Sequence, residues 1–232
     1  MNVHLMRIIW IYYEVQVNYM DVAFLITTHN RQESCQRLVD SLQEQGEIIV
    51  LNDGCEYDIN GATQTIRKEH FGKRGYWCTV NQLFEMRGKH EYYFMLPDDF
   101  LPVDNIVERA KDIWGKLHKP ISLNLYADRI GLRCWTNFPP VDIGIAWQTQ
   151  WVDMCFMCKE SFFARLGKIP PIKLNWTSKP NMSSGAGAYI SRKLHKHKCN
   201  LYMVKESLVI PQPEHYLNSQ MYANSSNCHI TR

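Results

Sequence analysis

The sequence has no hydrophobic run long enough to cross a membrane. Its apolar stretch near the start, Ile8 to Tyr13, falls far short of the bilayer's thickness, and no small-residue cleavage site of a signal peptide follows it. A cytoplasmic protein without a membrane anchor is the expectation. An excess of one charge sign is missing too. A formal net charge of +3 over 232 residues is too mild to point to nucleic acid, so any basic surface must be local. The densest basic stretch, "SRKLHKHKCN" at residues 191–200, holds four Lys or Arg and two His. There is no G-x-x-x-x-G-K-[ST] and no G-x-G-x-x-G, which removes the P-loop and the dinucleotide fingerprint. The one C-x-x-C, Cys155 to Cys158, has no second pair to close a zinc site, and "HKHKC", His195 to Cys199, has no partner of standard spacing. The eight cysteines therefore read as small buried hydrophobes and free thiols in a reducing compartment. Internal repeats and low-complexity linkers are absent.

What is present fits one well-cored domain. Apolar residues make up 45% and charged residues 21%, ordinary values for a globular chain. "DVAFLITTHN" (21–30) is a continuous apolar run closing on polar residues, the pattern of a strand covered on both faces. "RQESCQRLVDSLQEQG" follows, with Cys35, Leu38, Val39 and Leu42 on one helical stripe and Gly46 as the expected stop. "EIIVLNDG" is a second buried strand, and the three segments make a βαβ unit. "HFGKRGYWCTVNQLFEMRGKH" predicts a short helix entered through Gly72, Lys73, Arg74 and Gly75. "YYFMLPDD" is the third strand, and "ISLNLYAD" (121–128) the fourth. "WVDMCFMCKESFFARLG" is a strand running into a short helix, and "LYMVKESLVIPQPEH" supplies late strands. The expected architecture is α/β, a single domain around a mostly parallel sheet. Met20 directly precedes the first convincing strand. Residues 1–19 are thus expected to be an accessory strand or extension, 20–217 the domain and 218–232 a polar tail.

In such sheets ligands sit outside the carboxyl ends of the strands. Three predicted strands end in polar sets there: Thr27 to Arg31, Asn52 to Gly54, and Asp98 with Asp99. Adjacent carboxylates repel, so the last set calls for a positive partner. An aspartate ending a strand is commonly a turn former or helix cap, but three such ends together point to a ligand site.

The order "FLITTHNR", "IIVLNDG", "GKRGYW…N" and "YYFMLPDDFLP" resembles the family-2-like glycosyltransferases of the GT-A (Rossmann-like) fold, over residues 20–217. The resemblance implies a divalent cation, Mn²⁺ or Mg²⁺, bridging the phosphates of a nucleotide-sugar, with a UDP-sugar as the expected donor. It implies Asp99 as metal ligand, His215 as a further one, and Asp98 beside them at the nucleotide-sugar. Asp53 would read the base, Thr27 and Arg31 would line the nucleotide, and Lys73 and Arg74 would reach the phosphates. Two departures stand out. Aligned on Pro102, the first position of the usual D-x-D is Pro97. The Glu-Asp pair that supplies the general base in inverting members is replaced by "NMSSGAGAYISRKL", which leaves Asp153 as the base candidate, with Glu160 and Glu214 behind it. "GKRGYW", "SGAGAYISRKL" and "EHYLNSQMY" further resemble small phage-type enzymes of this fold that act on hydroxymethylated pyrimidines in DNA, in which case the compartment is the host cytoplasm. "SRKLHKHK" would then track phosphates, with Trp135, Trp147, Trp151 and Trp176 as stacking platforms. A saccharide acceptor, a nucleotidyltransferase and an inactive nucleotide-binding module remain alternatives. The nucleotidyltransferase would be expected to carry a glycine-rich loop after the first strand, and "TTHNRQES" has no glycine.

Overall fold

The structure, a computed structural model, describes residues 21–127, 139–152, 154–172 and 185–213, with the side chains of Lys73 and Arg74 outside that description. In chain order the elements are β1 (Val22–Thr28), α1 (Gln32–Leu42), β2 (Glu47–Asp53), β3 (Thr63–Arg67), α2 (Gly72–Met86), β4 (Tyr92–Pro97), β5 (Phe100–Pro102), α3 (Ile106–Gly115), β6 (Pro120–Asn124), β7 (Val141–Asp142), β8 (Ala146–Thr149), β9 (Phe156–Cys158), α4 (Glu160–Leu166), α5 (Ala186–Lys196), β10 (Asn200–Val204) and β11 (Val209–Pro211). Nine strands form one sheet in the order β3-β2-β1-β4-β9-β6-β10-β8-β7, while β5 and β11 pair separately. The sheet is mixed but largely parallel. Strands β1, β2, β3, β4, β6, β7 and β10 run one way and only β8 and β9 oppose them.

Alternate residues of each central strand feed two cores, as the two-residue period of a strand requires. Val22, Phe24 and Ile26 of β1, with Phe94 and Leu96 of β4, pack under Leu38, Val39 and Leu42 of α1 and Ala110 and Trp114 of α3. Ala23 and Leu25, with Tyr93 and Met95, face Val80 and Leu83 of α2, Phe162 and Leu166 of α4, and Ile190 and Leu194 of α5. Each fully buried Leu, Ile or Phe is worth about 1.5–3 kcal/mol over an exposed one, and both faces of the sheet collect many. That double coverage is why β1, β2 and β4 read as unbroken apolar runs. It also settles the C-x-x-C. Cys155 belongs to one core and Cys158 to the other, so the two thiols cannot share a metal.

Three local expectations are corrected. The α1 helix stops at Leu42 rather than at Gly46, and Glu44 takes the left-handed turn at φ 66°. Gly46 is instead a close-approach glycine, since a Cβ there would meet the Val22 carbonyl oxygen at 2.6 Å. The "short" helix after Gly72 is α2, 15 residues long, the longest among the described elements. Between β2 and α2 lies an edge strand, β3, that sequence patterning misses because none of its residues is buried, two being exposed and three half-buried.

The chain runs from β1 outward to β2 and β3, then returns to place β4 on the other side of β1. The strand order therefore reverses between β1 and β4, and a crevice opens at their carboxyl ends at such a switch point. No helix among the described residues is long and apolar enough to cross a membrane.

Candidate active site

Two clusters form at the carboxyl edge, one on each side of β1. The first sits at the switch point. Register pairs Thr27 of β1 with Pro97 of β4, so the turn after β4 lies beside the segment after β1. Arg31, the residue that opens α1, places Nη1 2.6 Å from Asp98 Oδ1 and 3.5 Å from Asp99 Oδ2. This guanidinium is the positive partner the adjacent aspartates require. Thr28 Oγ1 and the Arg31 main-chain N–H both meet the Tyr57 hydroxyl, at 2.8 and 3.3 Å. Thr27 is buried and its hydroxyl is 3.5 Å from that of Tyr76.

Asp98 is 4% exposed and its Oδ2 has no well-formed hydrogen-bond partner. Burial pushes its pKa from 3.8 up to about 6, with Asp99 adding to the rise and Arg31 and the Thr28 hydroxyl opposing it. A carboxyl whose folded value lies above its unfolded one stabilises the fold while protonated. The contribution is whole below about pH 4 and is lost as pH rises to about 6. In chelator, Asp98→Asn is expected to be more stable than wild type at pH 7, by about 2–3 kcal/mol, and to lose that advantage at pH 4. Urea melts of both proteins at the two pH values check this. A stability difference independent of pH would contradict it.

The second cluster lies beyond β2. The Asp53 carboxylate meets Arg67 Nη1 at 3.2 Å, the Thr79 hydroxyl at 3.2 Å and His70 Nδ1 at 3.3 Å. Arg67 is itself held by Gln82 and Thr79. The Asp53 carbonyl oxygen accepts from His29 Nδ1 at 2.7 Å and His70 Nδ1 at 3.0 Å, and a carbonyl only accepts, so both rings carry a proton on Nδ1. The two imidazoles stack at 3.6 Å with 4° between their planes. Gly54, at φ 89°, permits this, because a Cβ there would sit 2.6 Å from the His70 Cβ. The amino end of α2 follows directly, with no side-chain cap and no acidic residue in its first turn. Lys73 and Arg74 occupy that turn. An uncapped helix start with two basic residues is suited to phosphate.

Of the residues expected from sequence, Thr27, Arg31, Asp53, Asp98 and Asp99 thus gather at one edge, with the backbone of Lys73 and Arg74. Asp153, Glu214, His215, Trp135 and Trp176 lie outside the described residues. Trp147 and Trp151 are half-buried. Glu160 is corrected as a base candidate. Strand β9 runs against β4, pairing Cys158 with Tyr93, and so delivers Glu160 to the amino-terminal edge. There it binds Arg87 at 2.6 Å and the Tyr93 hydroxyl at 3.2 Å. The same edge carries a cleft of about 700 Å³ lined by Asp21, Arg87, His90 and Tyr93, away from the strand ends that gather carboxylates. The basic stretch is also there. Strand β10 runs with β4, so the end of α5, where Arg192, His195, Lys196, His197 and Lys198 are exposed, meets the sheet at the edge opposite the aspartates. Sequence reasoning missed Tyr57, Arg67 and His70, and named His29 only as part of the polar Thr27 to Arg31 set. The polar "THN" was the only signal for any of them.

The donor set at the switch point suits a hard divalent cation. It offers two carboxylates, one with an oxygen left without a hydrogen bond, and such cations complete their shells with water and phosphate. Among the described residues no third His, Cys, Asp or Glu joins them.

No protein-family model matches the sequence, and no curated protein matches it. Solved structures do resemble it. GalNAc-T7, solved with UDP, GalNAc and Mn²⁺, aligns with a TM-score of 0.62 at 14% identity, over 84% of this chain and 45% of that one. The mannosyltransferase PcManGT from Pyrobaculum calidifontis, in complex with GDP-Man and Mn²⁺, aligns with a TM-score of 0.51 at 13% identity, over 95% of this chain and 70% of that one. The fold is GT-A-like. The chain spans 45% of the length of GalNAc-T7, and at these identities the GT-A likeness is one of fold. In that sense the chain resembles nucleotide-sugar glycosyltransferases structurally.

Proposed function

We propose that the chain is a glycosyltransferase that moves a sugar from a nucleotide-sugar to an acceptor hydroxyl with the help of a divalent cation. The observation that carries this reading is the Asp98–Asp99 pair at the β1/β4 switch point, balanced by Arg31 and with one buried carboxylate oxygen that lacks a well-formed hydrogen bond. Asp99, with Asp98 and His215, would hold the cation. When bound, the cation neutralises the charge that develops on the leaving nucleoside diphosphate. Arg31, beside both carboxylates, would add positive charge next to the phosphates. The start of α2, with Lys73 and Arg74, offers them main-chain N–H groups and positive charge. Thr27, Thr28 and the His29–His70 stack border the nucleoside. Asp53 is claimed by Arg67 and Thr79, so its role at the base is to hold the imidazoles through its carbonyl. Asp153 is the proposed base for the acceptor hydroxyl.

For the acceptor, the proposal from sequence is a 5-hydroxymethylpyrimidine in DNA. The basic end of α5 is at the wrong edge to serve it, so the phosphates of a duplex would have to be met by Lys73, Arg74 and their neighbours. Release of UDP or GDP from UDP-glucose and GDP-mannose, with Mn²⁺, is the test, comparing hydroxymethylated with unmodified duplex. Release that requires the hydroxymethyl group supports DNA as acceptor. Release indifferent to DNA discards that acceptor and leaves saccharides. No release with any donor, together with nucleotide binding, identifies an inactive module.

A further inference from the structure

We propose that Gln212 is the positioning residue that fixes the Asp98–Asp99 turn for its cation. The inference rests on the reading of that turn as the cation site.

Gln212 follows β11 and is 2% exposed. Its main-chain N–H donates to the Asp99 carbonyl oxygen at 2.7 Å. Its side-chain Nε2 donates to the Asp98 carbonyl at 2.9 Å and to the Ser34 carbonyl of α1 at 3.1 Å, with the Phe100 carbonyl at 3.4 Å. One residue therefore holds the carbonyls of both Asp98 and Asp99 and ties them to the helix that begins beside Arg31. Arg37 Nε donates to Gln212 Oε1 at 2.9 Å. A guanidinium has donors only, so the amide oxygen must face Arg37 and the NH₂ must face the turn. The amide cannot flip.

The flanking sequence reinforces this. Pro211 and Pro213 carry no N–H and restrict the backbone on both sides, so the single N–H of this stretch is the one given to Asp99. The chemistry gives the device its purpose. Two adjacent carboxylates repel, and an unpinned turn relaxes by rotating its peptide planes until the side chains point apart. Holding the carbonyls on either side of Asp99 fixes those planes and so fixes both Cα–Cβ directions towards one point. Gln212 contributes no ligand itself, since its oxygen is committed to Arg37.

A buried amide can also serve stability alone, and the protein contains a matched control. Asn81 of α2, on the other face of the sheet, exchanges two bonds with Ile169: Nδ2 donates to its carbonyl at 2.8 Å, and its N–H donates to Oδ1 at 2.9 Å.

The experiment measures Mn²⁺ affinity by electron paramagnetic resonance, with and without UDP, alongside circular dichroism and melting. Wild type, Gln212→Ala, Gln212→Met, Asn81→Ala and Asp99→Asn are compared. Gln212→Met keeps the volume and stays uncharged but loses the donors, which guards against a cavity-driven loss of fold in the alanine variant. Both Gln212 variants are expected to bind Mn²⁺ at least tenfold more weakly, while Asn81→Ala lowers the melting temperature and leaves Mn²⁺ affinity alone. If the folded Gln212 variants match Asn81→Ala, with lowered melting and unchanged Mn²⁺ affinity, the positioning role is wrong and the site stands. If wild type and Asp99→Asn show the same Mn²⁺ affinity, the site reading itself fails and takes this inference with it.

Discussion

Replacing Asp99 with Asn is expected to lower sugar transfer by about a thousandfold or more while leaving the melting temperature unchanged or higher. The two effects have opposite signs for one reason. Asp98 and Asp99 are adjacent, both largely buried, and share the guanidinium of Arg31. Without a cation, removing one negative charge relieves repulsion and stabilises the fold. With the donor bound, the same charge is what would hold the cation against the diphosphate. Losing about 4 kcal/mol of stabilisation in the transition state corresponds to a factor of about a thousand in rate. Steady-state turnover and calorimetric melting of the same preparation check both halves. A loss of activity that tracks a loss of stability would mean that Asp99 is structural.

Arg31→Ala carries the second large effect, and its sign depends on the metal. In chelator the variant takes the Arg31 charge away from the two adjacent carboxylates. Breaking a buried pair costs about 3–5 kcal/mol. Arg31 is a quarter exposed and Asp98 can take a proton, so about 2–3 kcal/mol is the expected loss. For a domain of this size that is a fall of about 4–12 °C in melting temperature. Saturating Mn²⁺ supplies the missing charge, so the gap from wild type should narrow or close. Wild type gains less from Mn²⁺ because its own guanidinium must first be displaced. An equal gap with and without Mn²⁺ would show that Arg31 does not compete with a cation for this pair.

The central fold was readable from sequence where burial is symmetrical. Strands β1, β2 and β4 are covered on both faces and read as unbroken apolar runs, and the Leu38–Leu42 stripe marks α1. Where burial is partial the pattern fades. The edge strand β3 has a single neighbour in the sheet and leaves Ile66 41% exposed, so it looks like loop. The length of α2 was hidden by its first turn, Gly72 to Gly75, whose glycines are poor helix formers. Its fully buried apolar residues begin only at Val80, with Tyr76 and Trp77 partly covered before it. The strand-end aspartates were legible because a parallel sheet puts every carboxyl end on one edge. Their partners were not. Tyr57 reaches Thr28 from a loop, Arg67 and His70 come from β3 and the turn after it, and Gln212 meets Asp98 from 114 residues away. Strand direction was the other hidden quantity. The reversal of β9 sends Glu160 to the far edge, and the return of β10 sends the basic end of α5 there too.

The most direct test of the account is calorimetric titration of UDP and of GDP into the protein, in Mn²⁺ and in chelator. The account predicts that one of the two nucleotides binds, that Mn²⁺ tightens binding at least tenfold, and that Asp99→Asn abolishes the Mn²⁺ effect while leaving the weaker chelator value in place. Binding of neither nucleotide, or binding indifferent to both Mn²⁺ and Asp99, would contradict the assignment of the β1/β4 crevice as a nucleotide and cation site.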